Sequence, residues 1–432
     1  MRRALVWSLW GALLLACACG AHRAEFTWDA PRGQWTVDAR HGRADVRCEI
    51  SNSGPSAVEL VRLAPVDGPD FSSTADLLRT TISPRADAPT VVRRLTDVVH
   101  RWMRSGARGP FAPSLYADPA RALAVAGQGF ADDAARVLAG LLGAAGLEAR
   151  VLDLRHHAGV VVRWDGAWHL ADPCFGVVFV TAAGLPATLR ELTVNPDLIR
   201  RNLRHASSGG DASRVIALYR KGLRFDDESS FQKAGTELLP PRRWPLPVGA
   251  FVQFQLSGGG AREGLWRWTL PDPQGLFVTT SLVAEGWRRK QNGRLGLQTG
   301  SPAGLMRLPL DLPYPMTAIR ARLRLAEVQR NARIDVYIFG PTEGPADATC
   351  VFSGPARPEL LAERRWTTPL DGPASVELRV FAPGADLAGL IIEAVFLHAP
   401  AAAPNVAGRR CTIIGEARAS GPARLMTRHE WR

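Results

Sequence analysis

From Asp87 onward the chain switches between two hydrophobic periods. Val91, Val92, Leu95, Val98, Val99, Trp102 and Met103 recur at helical spacing, which marks one apolar helix face. Asp87 and Pro89 ahead of that run supply a start signal, and Gly106 a stop. The pattern predicts a second helix from about Ala131 to Ala145, with Val137, Leu138, Leu141 and Leu142 inward and Gly146 ending it. The period then shortens to two. Arg150 to Leu154 reads as a strand, and Val160 to Trp164, Asp165-Gly166 and Ala167 to Ala171 read as a hairpin with a type I′ turn.

The flanks are different. Residues 26 to 65 alternate in short pieces, Ala44 to Ile50 being one, and read as a small β segment. Residues 184 to 240 are mixed and polar with possible helices, and read as a connector or insertion. Pro240-Pro241 marks a boundary, after which the chain is β-like to its end, with strands clearest at Ile319 to Leu325, Ile334 to Ile338, Val376 to Val380 and Leu390 to Phe396. Alternation at this spacing, with proline and glycine between, predicts a sandwich or jelly roll. The fold class expected is α+β. Its expected divisions are a leader at 1–16, an N-terminal β segment at 17–70, a helix-and-sheet domain at 71–183, the connector at 184–240 and a β-sandwich region at 241–432.

Composition narrows the function class. With 432 residues, 46% hydrophobic and 22% charged, the chain is too apolar for disorder and long enough for more than one core. Its 41 glycines, 32 prolines and 13 tryptophans follow no repeat, which suits turn-rich β structure and excludes collagen or coiled coil. Met1-Arg2-Arg3 followed by apolar Ala4 to Ala16 has the form of an export signal. Its end, Leu14-Leu15-Ala16-Cys17, resembles a bacterial lipobox, which implies lipidation of Cys17 and a protein of the periplasm or cell surface held to a membrane by that anchor. Beyond it no apolar run is long enough to span a bilayer.

The net charge is +12, and losing Arg2 and Arg3 with the leader leaves +10. Arginine supplies nearly all of it, since lysine occurs only at Lys221, Lys233 and Lys290. The basic residues are scattered rather than massed in a stripe with aromatic partners, so no nucleic acid is expected. Anionic polysaccharide, lipid headgroups or peptidoglycan are the more natural neighbours of an exported basic protein. The remaining cysteines are Cys19, Cys48, Cys174, Cys350 and Cys411. In an oxidising compartment pairing is open to them, and Cys350 with Cys411 is the pair expected. No metal-ligand spacing is present, so neither metal nor cofactor is expected.

One stretch carries a recognisable order of motifs. Gly127-Gln128-Gly129-Phe130-Ala131-Asp132-Asp133 is followed by Gly146-Leu147-Glu148-Ala149-Arg150, then by His157, then by Asp165-Gly166-Ala167-Trp168-His169-Leu170-Ala171-Asp172-Pro173. Over roughly residues 75 to 180 this resembles the bacterial transglutaminase-like superfamily. The resemblance implies a papain-like core, with a cysteine opening a helix, His157 as the histidine and Asp172 as the aspartate. In that chemistry a thiol at a helix N-terminus is acidified by the backbone N–H groups. The histidine moves its proton and the aspartate fixes the imidazole.

The departure is at the nucleophile. The matching position holds Ala131, and no cysteine, serine or threonine lies between Asp118 and Leu170. Asp132 and Asp133 read as helix N-terminal carboxylates, and Gln128 as an oxyanion donor left idle. A two-residue loop at Asp165-Gly166 would put His157 opposite Cys174 and Gly159 opposite Asp172. Cys174 is therefore either a small buried cysteine or disulfide half, or a relocated thiol beside the histidine, with Pro173 liable to break the ladder first. His156 and His169 read as structural, Trp168 as packing behind the sheet, and Trp266 with Trp268 as core or as a sugar platform.

Two functions follow from the resemblance. One is a degenerate, non-catalytic binding or scaffold protein at the cell surface, with a peptide or surface polysaccharide as ligand. The other is an active cysteine hydrolase or acyltransferase using Cys174, His157 and Asp172.

Overall fold

In the computed structural model of the protein, Asp165 and Gly166 both take positive φ, 49° and 76°, as a type I′ turn requires. The structure describes residues 21–29, 32–40, 47–65, 68–106, 109, 111, 113–154, 156–206, 212–223, 231–235, 243–255, 262–270, 283–289, 294–297, 303–340, 343, 349–381, 386–398, 410–419 and 421–430. The leader and Cys17, with Cys19, lie outside them.

The turn joins strands Ala158–Trp164 and Ala167–Asp172 at the centre of a five-stranded antiparallel sheet. Glu148–Asp153 and then Phe231–Gln232 extend it on one side, and Val177–Val178 on the other. Around it stand α1 (Thr74–Thr81), α2 (Ala88–Trp102), a short α3 (Pro119–Arg121), α4 (Ala131–Ala144), α5 (Leu189–Val194), α6 (Asp197–Ala206) and α7 (Ala212–Gly222). Side chains alternate across a strand, and the sheet divides accordingly. Val151, Val160, Val162 and Ala171 enter one core with the apolar faces of α2 and α4. Leu152, Val161 and Leu170 enter a second with α5, α6 and α7. Each fully buried Val or Leu contributes about 1.5–3 kcal/mol, so both faces are tied down.

The helix boundaries have local causes. Asp87 caps α2, its Oδ1 accepting from Thr90 N–H at 3.0 Å, with proline in the first turn. Beyond α4, Gly146 takes φ 86°, a left-handed stop open to glycine at little cost. Residues 184–240, read from sequence as a connector or insertion with possible helices, supply three helices and the edge strand Phe231–Gln232 of this unit. Their apolar residues Leu192, Ile199, Leu203, Val215, Ile216 and Tyr219 are buried. Polar residues on the outer face of short helices masked that pattern.

The β-rich region is built on one ten-stranded sheet with a four- and a five-stranded sheet, all three feeding a single core cluster. The four strands singled out in sequence lie within Met316–Ala326, Arg333–Phe339, Ala374–Phe381 and Asp386–His398. The N-terminal segment is not separate from them. Ala21–Trp28 pairs with Ala423–Glu430, Arg32–Arg40 with Arg410–Ala419, and Arg47–Asn52 with Ala250–Gln255. A half-buried amphipathic strand needs a sheet partner, and the C-terminal strands provide it. The helix-and-sheet unit is thus inserted within the β structure.

The two parts share contacts. Leu397 enters the α2/α4 core, and Tyr314 packs against both that core and the β core. Buried Arg121, at the end of α3, forms a two-pronged ion pair with Asp371.

Candidate functional site

Asp172 ends its strand fully enclosed, at 0% exposure. Oδ2 accepts from His157 Nε2 at 2.7 Å and from the Tyr219 hydroxyl at 2.9 Å. Oδ1 accepts from the backbone N–H of Cys174 at 2.9 Å and of Phe175 at 3.3 Å. Four donors on one buried carboxylate satisfy it as an anion. His157 stands just before strand Ala158–Trp164, with its ring edge-on to Phe175 at 5.9 Å and to Tyr219 at 5.6 Å. Because Nε2 faces an acceptor, the network assigns the proton there and leaves Nδ1 with a lone pair. Among the described residues Nδ1 has no hydrogen-bond partner.

The expected pairing of His157 with Cys174 does not form. The register does run through Val160 with Ala171, as a two-residue loop dictates, and stops there. Asp172 pairs instead with Val177, so residues 173–176 form a tight turn. Pro173 has no N–H to continue the ladder, and Asp172 Oδ1 draws the next two N–H groups back over itself. Gly176 completes the turn at φ 64°, and a Cβ there would come within 2.7 Å of the His100 ring. His100, on α2, bonds through Nδ1 to the Pro173 and Cys174 carbonyls at 3.2 and 3.0 Å. Cys174 therefore belongs to a turn pinned from two sides. Burial first, then the charges of Asp172 and Asp132, push its thiol well above the ordinary range. A thiol so placed is held protonated, the reverse of activation.

Asp132's influence on Cys174 places this turn beside the first turn of α4. Ala131 opens that helix and packs, like Cys174, at the margin of the α2/α4 core. Buried Asp133 accepts from Phe130 N–H at 3.0 Å through Oδ2, so it serves as the N-terminal carboxylate the sequence suggested. Gln128 pairs in parallel with Arg104, and its carbonyl accepts from the Tyr116 hydroxyl at 3.0 Å. Phe130, at the start of α4, is half exposed.

No protein-family model and no curated protein matches this chain. Among solved structures, TmCBM61 in complex with beta-1,4-galactotriose is similar over 27% of this chain and 86% of that one, at 9% identity and TM-score 0.19. A structure of infectious bursal disease virus Gx strain is similar over 44% of this chain and 51% of that one, at 12% identity and TM-score 0.18.

Tyr219 is the site residue that sequence reasoning missed. It arrives from α7, and its hydroxyl fills the place a side chain at position 159 would take, since a Cβ on Gly159 would lie 2.6 Å from it. The legible signal was Gly159 inside a strand, just ahead of three valines. The other candidates fall outside this cluster. His169 is buried with Nδ1 on the Ala187 carbonyl at 3.1 Å and its ring stacked on Trp164 at 3.6 Å. Trp168 packs against the second core beneath the Arg150 guanidinium, 5.3 Å from the ring centre. Trp266 and Trp268 are core residues whose indole N–H groups donate to Pro245 and Val248 carbonyls, so they form no open platform. The expected Cys350–Cys411 disulfide is absent: Cys350 is a free, exposed thiol. Their strands, Thr349–Pro355 and Arg410–Ala419, belong to different sheets.

Proposed function

We propose that the chain is an exported, lipid-anchored protein with a papain-like, transglutaminase-like core that has lost its nucleophile, and that it binds a peptide or polysaccharide at the bacterial cell surface without covalent catalysis. The observation carrying this reading is the combination of an intact His157–Asp172 pair with an alanine opening α4. A histidine held through one ring N–H by a buried carboxylate leaves its other nitrogen to take a proton, which is the logic of a nucleophile–histidine–aspartate site, here with Nε2 on the carboxylate and Nδ1 outward. A methyl group at position 131 has nothing to ionise or attack with. The β-rich region, with its layered antiparallel sheets, is read here as a jelly-roll-like module that carries part of the ligand surface.

The reading of Cys174 as a relocated nucleophile is opposed by its raised pKa and by its place in a turn that hydrogen bonds hold on both sides. The test is to restore the thiol by Ala131→Cys. If the core has the proposed ancestry, the new thiol alkylates with iodoacetamide at pH 6 about ten times faster than a model thiol, because the helix N-terminus and His157 favour its thiolate. Adding His157→Ala should remove the gain. A new thiol that reacts no faster than a model peptide, with or without His157, overturns the reading.

A further inference from the structure

The His157–Asp172 pair has a third member that the resemblance does not account for. Tyr219 is fully buried and donates to the same Oδ2 that receives His157 Nε2. Three features show that the contact is built in. The tyrosine comes from α7, outside the stretch that carries the motifs. Gly159 clears the path for its hydroxyl, a side chain being impossible there without displacing it. Burial, then the charge of Asp172, raises the phenol well above its ordinary value, so it remains a donor and never a competing anion.

We propose that Tyr219 is a positioning residue which shares the charge of Asp172 and, with it, holds the His157 ring by its Nε2–H so that Nδ1 is presented as an acceptor. The inference rests on the binding-site reading above and deepens it. In its neutral form such an imidazole accepts a hydrogen bond from a hydroxyl or amide N–H of a ligand. An imidazolium would donate instead and select anions. The argument for charge sharing is direct. A carboxylate oxygen bonded by one donor fewer attracts an adjacent imidazolium more strongly, because a hydrogen bond to one protonation state shifts the equilibrium toward it.

The groups facing His157 bear on the sign. Asp172 and Tyr219 contact it, Phe175 is apolar, and Cys174 is held as the neutral thiol. Asp132, on α4, and His100, on α2, lie against the Cys174 turn and are unaltered by the change. Removing the Tyr219 hydroxyl therefore changes one interaction at the imidazole's own partner.

The experiment is a long-range proton–nitrogen NMR titration of the whole protein, with His157 assigned by its loss in His157→Asn. In the unaltered protein the neutral ring should show a protonated Nε2 and a bare Nδ1. Tyr219→Phe should keep that form while moving the His157 midpoint upward, because Asp172 then has one donor fewer. Gly159→Ala, which displaces the hydroxyl without deleting it, should move the midpoint the same way. If it does not fold, Tyr219→Phe decides alone. A midpoint that stays put or falls in a folded Tyr219→Phe protein, or a neutral ring protonated at Nδ1, overturns the proposal. The result is separable from the Ala131→Cys test, since the titration needs no thiol and no relation to any family.

Discussion

Native alkylation of Cys174 is the sharpest test of the electrostatics of the site. The perturbation is iodoacetamide at pH 8, with Cys350 as the internal reference. Cys350 is exposed and free, whereas Cys174 is half-buried against the α2/α4 core, beside the start of α4. Burial contributes most to raising the Cys174 thiol, and the anions Asp172 and Asp132 add to it. A rise of even two units cuts the thiolate fraction about a hundredfold. Nucleophilicity grows with basicity and returns about tenfold of that. Chemistry alone therefore makes Cys174 about tenfold slower than an ordinary thiol, and the need for the reagent to enter a pinned turn slows it further. Peptide mass spectrometry after timed quenching reads both sites. The Cys174 rate should keep climbing into the alkaline range, and Asp132→Asn should raise it only modestly, because burial dominates. Labelling of Cys174 as fast as Cys350 in the folded protein, slowed by His157→Ala, would refute this reasoning and revive the thiol-enzyme reading.

Two further outcomes are expected. Asp172→Asn turns an amide toward two donors, His157 Nε2–H and the Tyr219 hydroxyl; losing a charged acceptor for each costs about 1.5–3 kcal/mol, so the denaturant midpoint of the helix-and-sheet unit should fall by an equivalent of about 3–6 kcal/mol, and a change under about 1 kcal/mol would contradict the network. His169 has its pKa lowered, first by burial and against the pull of the Ala187 carbonyl. The unfolded chain thus takes the proton first, so stability is complete above about pH 6.5 and declines as pH falls below it. His169→Asn, which keeps a donor for Ala187, should flatten that part of a melting-temperature profile from pH 8 to 5, and an unchanged slope would assign it elsewhere.

Much of this was legible in the sequence wherever one local rule decided the outcome. Asp87, Gly146 and Asp165-Gly166 each act within a few residues of themselves, and α2, α4 and the hairpin stand where their spacing puts them. His157 and Asp172 came together because the hairpin register brings them close. Long-range pairing was not legible. Nothing in the 21–65 segment announces that its partners lie at the far end of the chain, since alternation specifies a face and leaves the neighbour open. Tyr219 was hidden for a related reason, because a tyrosine on a short amphipathic helix reads as core until the glycine opposite is seen. Cys174 lies off the ladder, the outcome that Pro173 left open in the sequence. The Cys350–Cys411 pairing failed because a shared β-rich region does not mean a shared sheet.

The pairing of Ala21–Trp28 with Ala423–Glu430 sets an order of assembly. The Thr427 hydroxyl donates to the Ala24 carbonyl across 403 residues of chain. Contacts of such separation form late, since they wait on loop closure. The inserted helix-and-sheet unit lies between, and apart from Leu397 and Tyr314 its cores draw on nearer neighbours, so most of it can collapse while the rest of the chain is still being made. The β structure cannot close until the last strands arrive. Until then the strands at residues 21–65 present unpaired edges, the kind of surface that recruits other chains. A chain cut short before residue 410 would keep its His157–Asp172 site and yet aggregate, which makes the C-terminal strands the seal on the whole molecule.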